Sequence, residues 1–146
     1  LVEDTATQAV IMQQSLSSAG HFVTVKKTAE DALEFLMANP VDYVLTDINL
    51  PEMDGYELSR KIRSEETLKR VQVILLVTLK STEDLNLILA SKADSFMLKE
   101  LKRDYFLTAF QTVTSTFAGE EENPDTNAGK TAESAVKMLF SCVHAL

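Results

Sequence analysis

The sequence predicts an α/β fold, a parallel sheet with helices on both faces. Short apolar runs alternate along the chain with helically spaced segments. The runs are rich in Val, Ile, Leu and aromatic residues and show little polar alternation, as strands covered on both faces do. The links are short, and strand–helix–strand units so connected wind onto one sheet.

Leu1-Val2 is the stump of a first strand. Ala9, Met12, Leu16 and Ala19 then fall on one helical face. Thr5 and Gln8 match a capping box at the helix start, and Gly20 suits the left-handed position past its end. Phe22–Val25 reads as the second strand. Thr28 is the N-cap of the next helix, which Asn39-Pro40 ends. Tyr43–Thr46, Val71–Val77 and Ser95–Leu98 read as further strands, with Ser81 as a helix N-cap before the last of them. Phe106, Phe110, Val113 and Phe117 form the buried face of a closing helix.

This predicts one domain over residues 1–117. Residues 118–130 read as a linker, because GEEENPDTNAGK from 119 to 130 is acidic and rich in turn formers. Residues 131–146 read as an extra carboxy-terminal helix. Its Ala132, Val136, Leu139, Val143 and Leu146 fall into a heptad seam. That seam suits a homodimeric coiled coil, a signalling helix running into an output domain, or packing on its own domain.

With 146 residues, 45% of them hydrophobic, the chain can bury a core without disulfides, and its single Cys142 can form none internally. A lone cysteine fits a reducing, cytoplasmic setting. The net charge of −8 argues against direct nucleic-acid binding by this segment. The longest apolar run, Val73–Leu79, is too short to span a bilayer, and no signal peptide is visible, so no membrane role is expected.

In parallel sheets, sites form beyond the carboxyl ends of the strands. Glu3-Asp4, Asp47, Val77-Thr78 and Lys99 all stand there. Two carboxylates ~4 Å apart repel by roughly 4 kcal/mol at an effective dielectric of ~20. Glu3, Asp4 and Asp47 therefore want a cation, and Mg²⁺ suits one or two carboxylates plus waters and phosphate oxygens. Lys99 offsets the remaining charge, and a carboxylate can then act as a nucleophile toward phosphorus. The simpler reading of Asp4 is a helix N-cap.

The stretch Asp47-Ile48-Asn49-Leu50-Pro51-Glu52-Met53-Asp54-Gly55, followed by Tyr56-Glu57-Leu58, resembles the phosphoacceptor loop of response-regulator receiver domains (CheY-like). The resemblance runs from residue 1 to about 117 and implies a five-stranded, doubly wound, flavodoxin-like sheet with five helices. It implies that Asp47 is phosphorylated, that Glu3, Asp4, Asp47 and the backbone carbonyl of Asn49 hold Mg²⁺, and that Pro51 and Gly55 shape the loop. It places the conserved lysine at Lys99 and the aromatic switch residue at Phe96. The implied partners are a sensor histidine kinase or phosphotransfer protein and an attached or separate output domain. The only catalysis it implies is the domain's own phosphorylation and dephosphorylation.

Three positions depart from the family pattern. The switch hydroxyl at the end of the fourth strand falls on Val77. Thr78 is adjacent, but successive strand residues face opposite ways, so only a bulge would bring it round. The proline expected after the lysine is Glu100, which predicts a trans peptide bond. A glycine expected before the fifth strand is Lys92. Val77 and Glu100 support a second reading, a degenerate pseudo-receiver that binds partners without phosphorylation. A haloacid-dehalogenase-like phosphatase would want an acid where Asn49 stands. His21 reads as a surface turn residue, His144 lacks the acidic neighbour of a phosphodonor histidine, and Met37, Met53 and Met97 read as gap fillers.

Overall fold

A computed structural model of the chain describes residues 1–78 and 80–118. The expected linker, the carboxy-terminal helix with its seam, Cys142 and His144 lie outside the described residues. Three parallel strands form the regular sheet: β1 (Tyr43–Asp47), β2 (Gln72–Val77) and β3 (Ser95–Leu98), in that order. The helices are α1 (Ala6–Ser18), α2 (Ala29–Ala38), α3 (Gly55–Ser64), α4 (Thr82–Ala90) and α5 (Arg103–Ala118). None of them is long and apolar enough to cross a membrane.

Strand residues alternate between two cores, one on each face. Val73, Leu75 and Val77 join Val44 and Phe96 against α2, α3 and α4. Ile74 and Leu76 join Leu45 and Met97 against Met12 and Leu16 of α1 and Phe106, Phe110 and Val113 of α5. This is the expected α/β sheet with helices on both faces. At the amino ends of β2 and β3, Asp94 accepts the Val73 N–H at 2.7 Å and pairs with Arg63 of α3 at 3.1 Å. Arg63 also bonds the carbonyls of Lys69 and Val71. This ionic tie fixes where both strands start.

Two expected strands do not appear as regular strands. Val2 makes single parallel bridges to Lys26 and Thr46, and Phe22 is fully exposed. The register explains this. Among the described residues, the parallel pairing is limited to Val2 with Lys26 and Thr46, extended by the Lys26 N–H to the Leu1 carbonyl at 2.9 Å and the Leu1 amino group to the Thr24 carbonyl at 3.0 Å. Ala19 is exposed rather than on the buried face of α1, because the helix ends at Ser18; Ser15 is buried in its place. Met37 is exposed rather than filling a gap, whereas Met53 and Met97 are buried.

The expected capping box at Thr5 is not made. The Glu3 carboxylate accepts the Thr5 N–H at 3.1 Å, taking the donor that Gln8 would have capped, and the Gln8 Oε1 is buried without a partner. Thr28 does cap α2, accepting from the Asp31 N–H at 3.2 Å. Ser81 stands at the N-cap of α4, Asn39 at the C-cap of α2, and Gly20 is left-handed (φ +95°). Lys92 also adopts a left-handed backbone (φ 58°). That conformation suits glycine and costs other L-residues about 1–2 kcal/mol.

Candidate functional site

Backbone register gathers the site. The Val2 N–H donates to the Leu45 carbonyl at 2.8 Å and the Asp47 N–H to the Val2 carbonyl at 3.0 Å, which sets Glu3 beside Asp47. On the other side, Asp47 lies opposite Leu76, Val77 lies opposite Leu98, and the Lys99 N–H donates to the Val77 carbonyl at 2.8 Å. Glu3, Asp47, Val77 and Lys99 thus share one edge of the sheet.

Lys99 Nζ lies 2.8 Å from Glu3 Oε2 and 2.8 Å from Asp47 Oδ2. Glu3 and Asp47 are buried and Asp4 is exposed. Burial works against the charge on Lys99, but its bonds to Asp47 and then Glu3 outweigh it and hold its pKa above the ordinary lysine value. The other Asp47 oxygen, Oδ1, accepts the Asn49 N–H at 3.3 Å. One carboxylate oxygen from each of Glu3, Asp4 and Asp47 falls within 4.8 Å of the others, a spacing one small divalent cation can bridge.

The loop after Asp47 is pinned from beneath. A Cβ at Gly55 would lie 2.4 Å from the Asp47 carbonyl oxygen and 2.8 Å from Ile48 Cα, so only glycine lets α3 start this close to the site. The Gly55 N–H closes the loop on the Ile48 carbonyl at 3.0 Å, and Asp54 caps α3 by accepting from the Glu57 N–H at 2.8 Å. Glu52, within the loop, is left-handed (φ 63°).

The residues expected to relay a signal lie together on the face of α2, α3 and α4. Val77 and Phe96 are buried in the same core, while Thr78 follows the strand end and is exposed. No bulge brings Thr78 inward. The Lys99–Glu100 peptide is trans, as expected. Sequence reasoning missed three contacts: the Glu3 bond to Thr5, the Asn49 N–H on Asp47, and the α3 backbone packed under Asp47. Only the glycine at 55 gave a signal, for the last of these.

The fold and this acid–lysine cluster define a receiver-type domain. Residues 1–111 match the family model described as "Response regulator receiver domain", and the chain belongs to that family. It is a receiver domain of the two-component type. It is 31% identical over 99 residues to the gliding motility regulatory protein of Myxococcus xanthus, a match covering 68% of this chain and 13% of that protein. Among solved structures, it resembles the signal receiver domain of a signal transduction histidine kinase from Syntrophus aciditrophicus. There the TM-score is 0.73 and the identity 28%, over 88% of this chain and 95% of that one. It also resembles the receiver domain of the sensor histidine kinase PA1611 from Pseudomonas aeruginosa, with TM-score 0.69 and 27% identity, over 78% of this chain and 93% of that one. That structure has a magnesium ion coordinated in its active-site cleft.

Proposed function

We propose that Asp47 is the phosphoacceptor of this receiver domain and that its donor is the phosphohistidine of a sensor histidine kinase or phosphotransfer protein. The observation that carries the reading is Lys99 Nζ bonded at once to Asp47 and Glu3. A carboxylate oxygen of Asp47 attacks phosphorus, the P–N bond to imidazole breaks, and the leaving imidazole takes a proton. Lys99 stays on the Asp47 edge and offsets the added negative charge. Glu3, Asp4, Asp47 and the Asn49 carbonyl would hold Mg²⁺, which neutralises charge between the carboxylates and the phosphoryl oxygens. The magnesium in the Pseudomonas receiver supports this assignment. The test is intact mass after incubation with Mg²⁺ and acetyl phosphate. Wild type gains one phosphoryl group and Asp47→Asn gains none; equal labelling of the two overturns the assignment.

The segments around Val2 and Lys26 are then the remaining strands of a five-stranded sheet, a reading supported by the parallel bonds Lys26 N–H to Leu1 carbonyl at 2.9 Å and Glu3 N–H to Lys26 carbonyl at 3.0 Å. The composition of residues 119–130 supports a linker, and the seam in residues 131–146, which lie outside the described residues, supports a segment that would pair with a copy of itself, lead to an output domain or pack on its own domain. Residues 1–117 act in the cytoplasm. The intact acidic cluster favours this reading over a pseudo-receiver.

Val77 sets the strength of the switch. A ligand shifts a two-state equilibrium only through contacts that differ between the states. A valine gives the phosphoryl group no hydrogen bond to carry to the Phe96 face. Phosphorylation of wild type is expected to produce small NMR shifts around Phe96, and Val77→Thr larger ones. Shifts of equal size in both proteins sink this account.

A further inference from the structure

The hydrophobic pattern does not fix the register between β2 and β3. Val73, Leu75 and Val77 of β2 belong to one core and Ile74 and Leu76 to the other, so both faces of the strand are apolar. A slip by one residue exchanges the two faces of a strand, and where both are apolar that exchange meets little penalty from burial alone. The turn entering β3 does not fix the register either, because Lys92 stands there in a left-handed backbone (φ 58°) that suits glycine better. Past Lys99 the chain leaves the sheet, and the Glu100 N–H folds back on the Leu98 carbonyl at 2.9 Å. The hold on β3 therefore comes from its start.

There, Asp94 grips one residue of β2 twice. Its N–H donates to the Val73 carbonyl at 2.9 Å, and its Oδ2 accepts the Val73 N–H at 2.7 Å. The same Oδ2 lies 3.1 Å from Arg63, whose guanidinium also donates to the Lys69 and Val71 carbonyls on the chain leading into β2. The two charged side chains are 18% and 27% exposed, so water competes weakly for these charge-assisted bonds. From this clamp the pairing runs unbroken through Ile74–Ser95, Leu75–Phe96, Leu76–Met97 and Val77–Leu98 to Lys99. Arg63 stands on α3, and α3 starts at Gly55, which packs against the Asp47 backbone. One helix thus meets Asp47 at its first residue and holds the strand of Lys99 from its last turn. The lengths agree: the ten residues of α3 span ~15 Å, and the five steps from Asp94 to Lys99 span ~16 Å.

We propose that Arg63 and Asp94 are positioning residues for phosphoryl transfer at Asp47: α3 is a strut whose far end sets the register that puts Lys99 against Asp47 and Glu3. This role rests on Asp47 being the phosphoacceptor. Arg63 and Asp94 stand at the opposite end of the strands from the site, and their effect passes through Lys99. Lys99 Nζ makes its two contacts at 2.8 Å, and a shift of β3 by one residue moves its backbone by ~3.3 Å, enough to break both. The clustered carboxylates of Glu3, Asp4 and Asp47 stand on other segments, so they keep their places when β3 moves. Loss of the clamp thus separates the lysine from the acids and leaves the acids together.

The experiment follows the rate of labelling of the full chain by acetyl phosphate at saturating Mg²⁺, together with Mg²⁺ affinity by titration calorimetry. Asp94→Ala loses both the acceptor for Val73 and the partner of Arg63. Its labelling rate should fall by about 10- to 100-fold, the scale of a ~1 Å misplacement. Its Mg²⁺ affinity should be no lower than that of wild type, because the acids stay together. Asp94→Asn keeps an oxygen for the Val73 N–H and should recover part of the rate; it decides the matter where Asp94→Ala does not fold. Arg63→Gln removes the charge from the other side and should also label more slowly than wild type. Val113→Ala, a core truncation on α5 across the sheet, should melt lower yet label at the wild-type rate. Three outcomes overturn the positioning role: both Asp94 variants labelling as fast as wild type, Mg²⁺ affinity falling along with the rate, or Val113→Ala losing as much rate as Asp94→Ala. Labelling of Asp47→Asn would instead overturn the phosphoacceptor reading, whereas those three outcomes in a chain that labels on Asp47 leave that reading intact.

Discussion

Among the described residues, Lys99 is the one cation paired with the two buried acids, Glu3 and Asp47, and its removal exposes what their proximity costs. Lys99→Ala leaves both carboxylates without their counter-charge, and breaking a buried ion pair from one side typically costs about 3–5 kcal/mol. The side chain is 16% exposed, so a loss of about 2–4 kcal/mol is expected. Mg²⁺ should recover part of it, because the metal restores the missing positive charge and binds only the folded site. Urea titrations of both proteins with and without Mg²⁺ check this; a variant that gains no more from Mg²⁺ than wild type contradicts it. At this scale much of the site was legible. Asp47, Glu3 and Lys99 stand at strand ends, and strand ends of parallel sheets converge. The side-chain bonds were not, since nothing in the sequence says that Glu3 reaches forward to Thr5 while Gln8 stays unpartnered.

Among the elements, α4 starts on a carboxylate. Asp84 accepts the N–H groups of Lys80 at 2.7 Å and Ser81 at 2.9 Å. Those two bonds, Lys80 first, hold its pKa below the ordinary carboxylate value of 3.8. A depressed carboxylate contributes stability that is present above the unfolded-state value and is lost as pH falls through the folded-state one. Asp84→Ala should therefore melt lower than wild type at pH 7, with the gap narrowing below pH 3.8. Calorimetry at pH 7 and pH 3 measures it, and a gap that widens in acid rules the account out. The caps at Thr28 and Ser81 were readable because capping is local. The strand expected at Phe22–Val25 was not, because an apolar run becomes a strand only where another backbone offers it partners. The start of α3 had no separate signal, since Asp54 and Gly55 were absorbed into the loop motif that precedes it.

For the whole molecule, removing everything after Phe117 should leave labelling of Asp47 by acetyl phosphate unchanged, since every residue assigned to the site lies within residues 1–117. Intact mass of the truncated chain reads this directly, and a truncated chain that fails to fold would place residues 118–146 in the receiver's own core. The sequence by itself determined the α/β class, the alternation that buries both faces of the sheet, and the identity of the acids and lysine at the strand ends. All of these rest on periodicity and on residue type at positions near in sequence. The tertiary structure alone decided that Lys99 bridges Glu3 and Asp47, that no bulge turns Thr78 inward, and that α1 and α5 lie side by side. Each of those depends on register between segments far apart in the chain, and register is set by backbone pairing and packing that no single stretch of sequence contains.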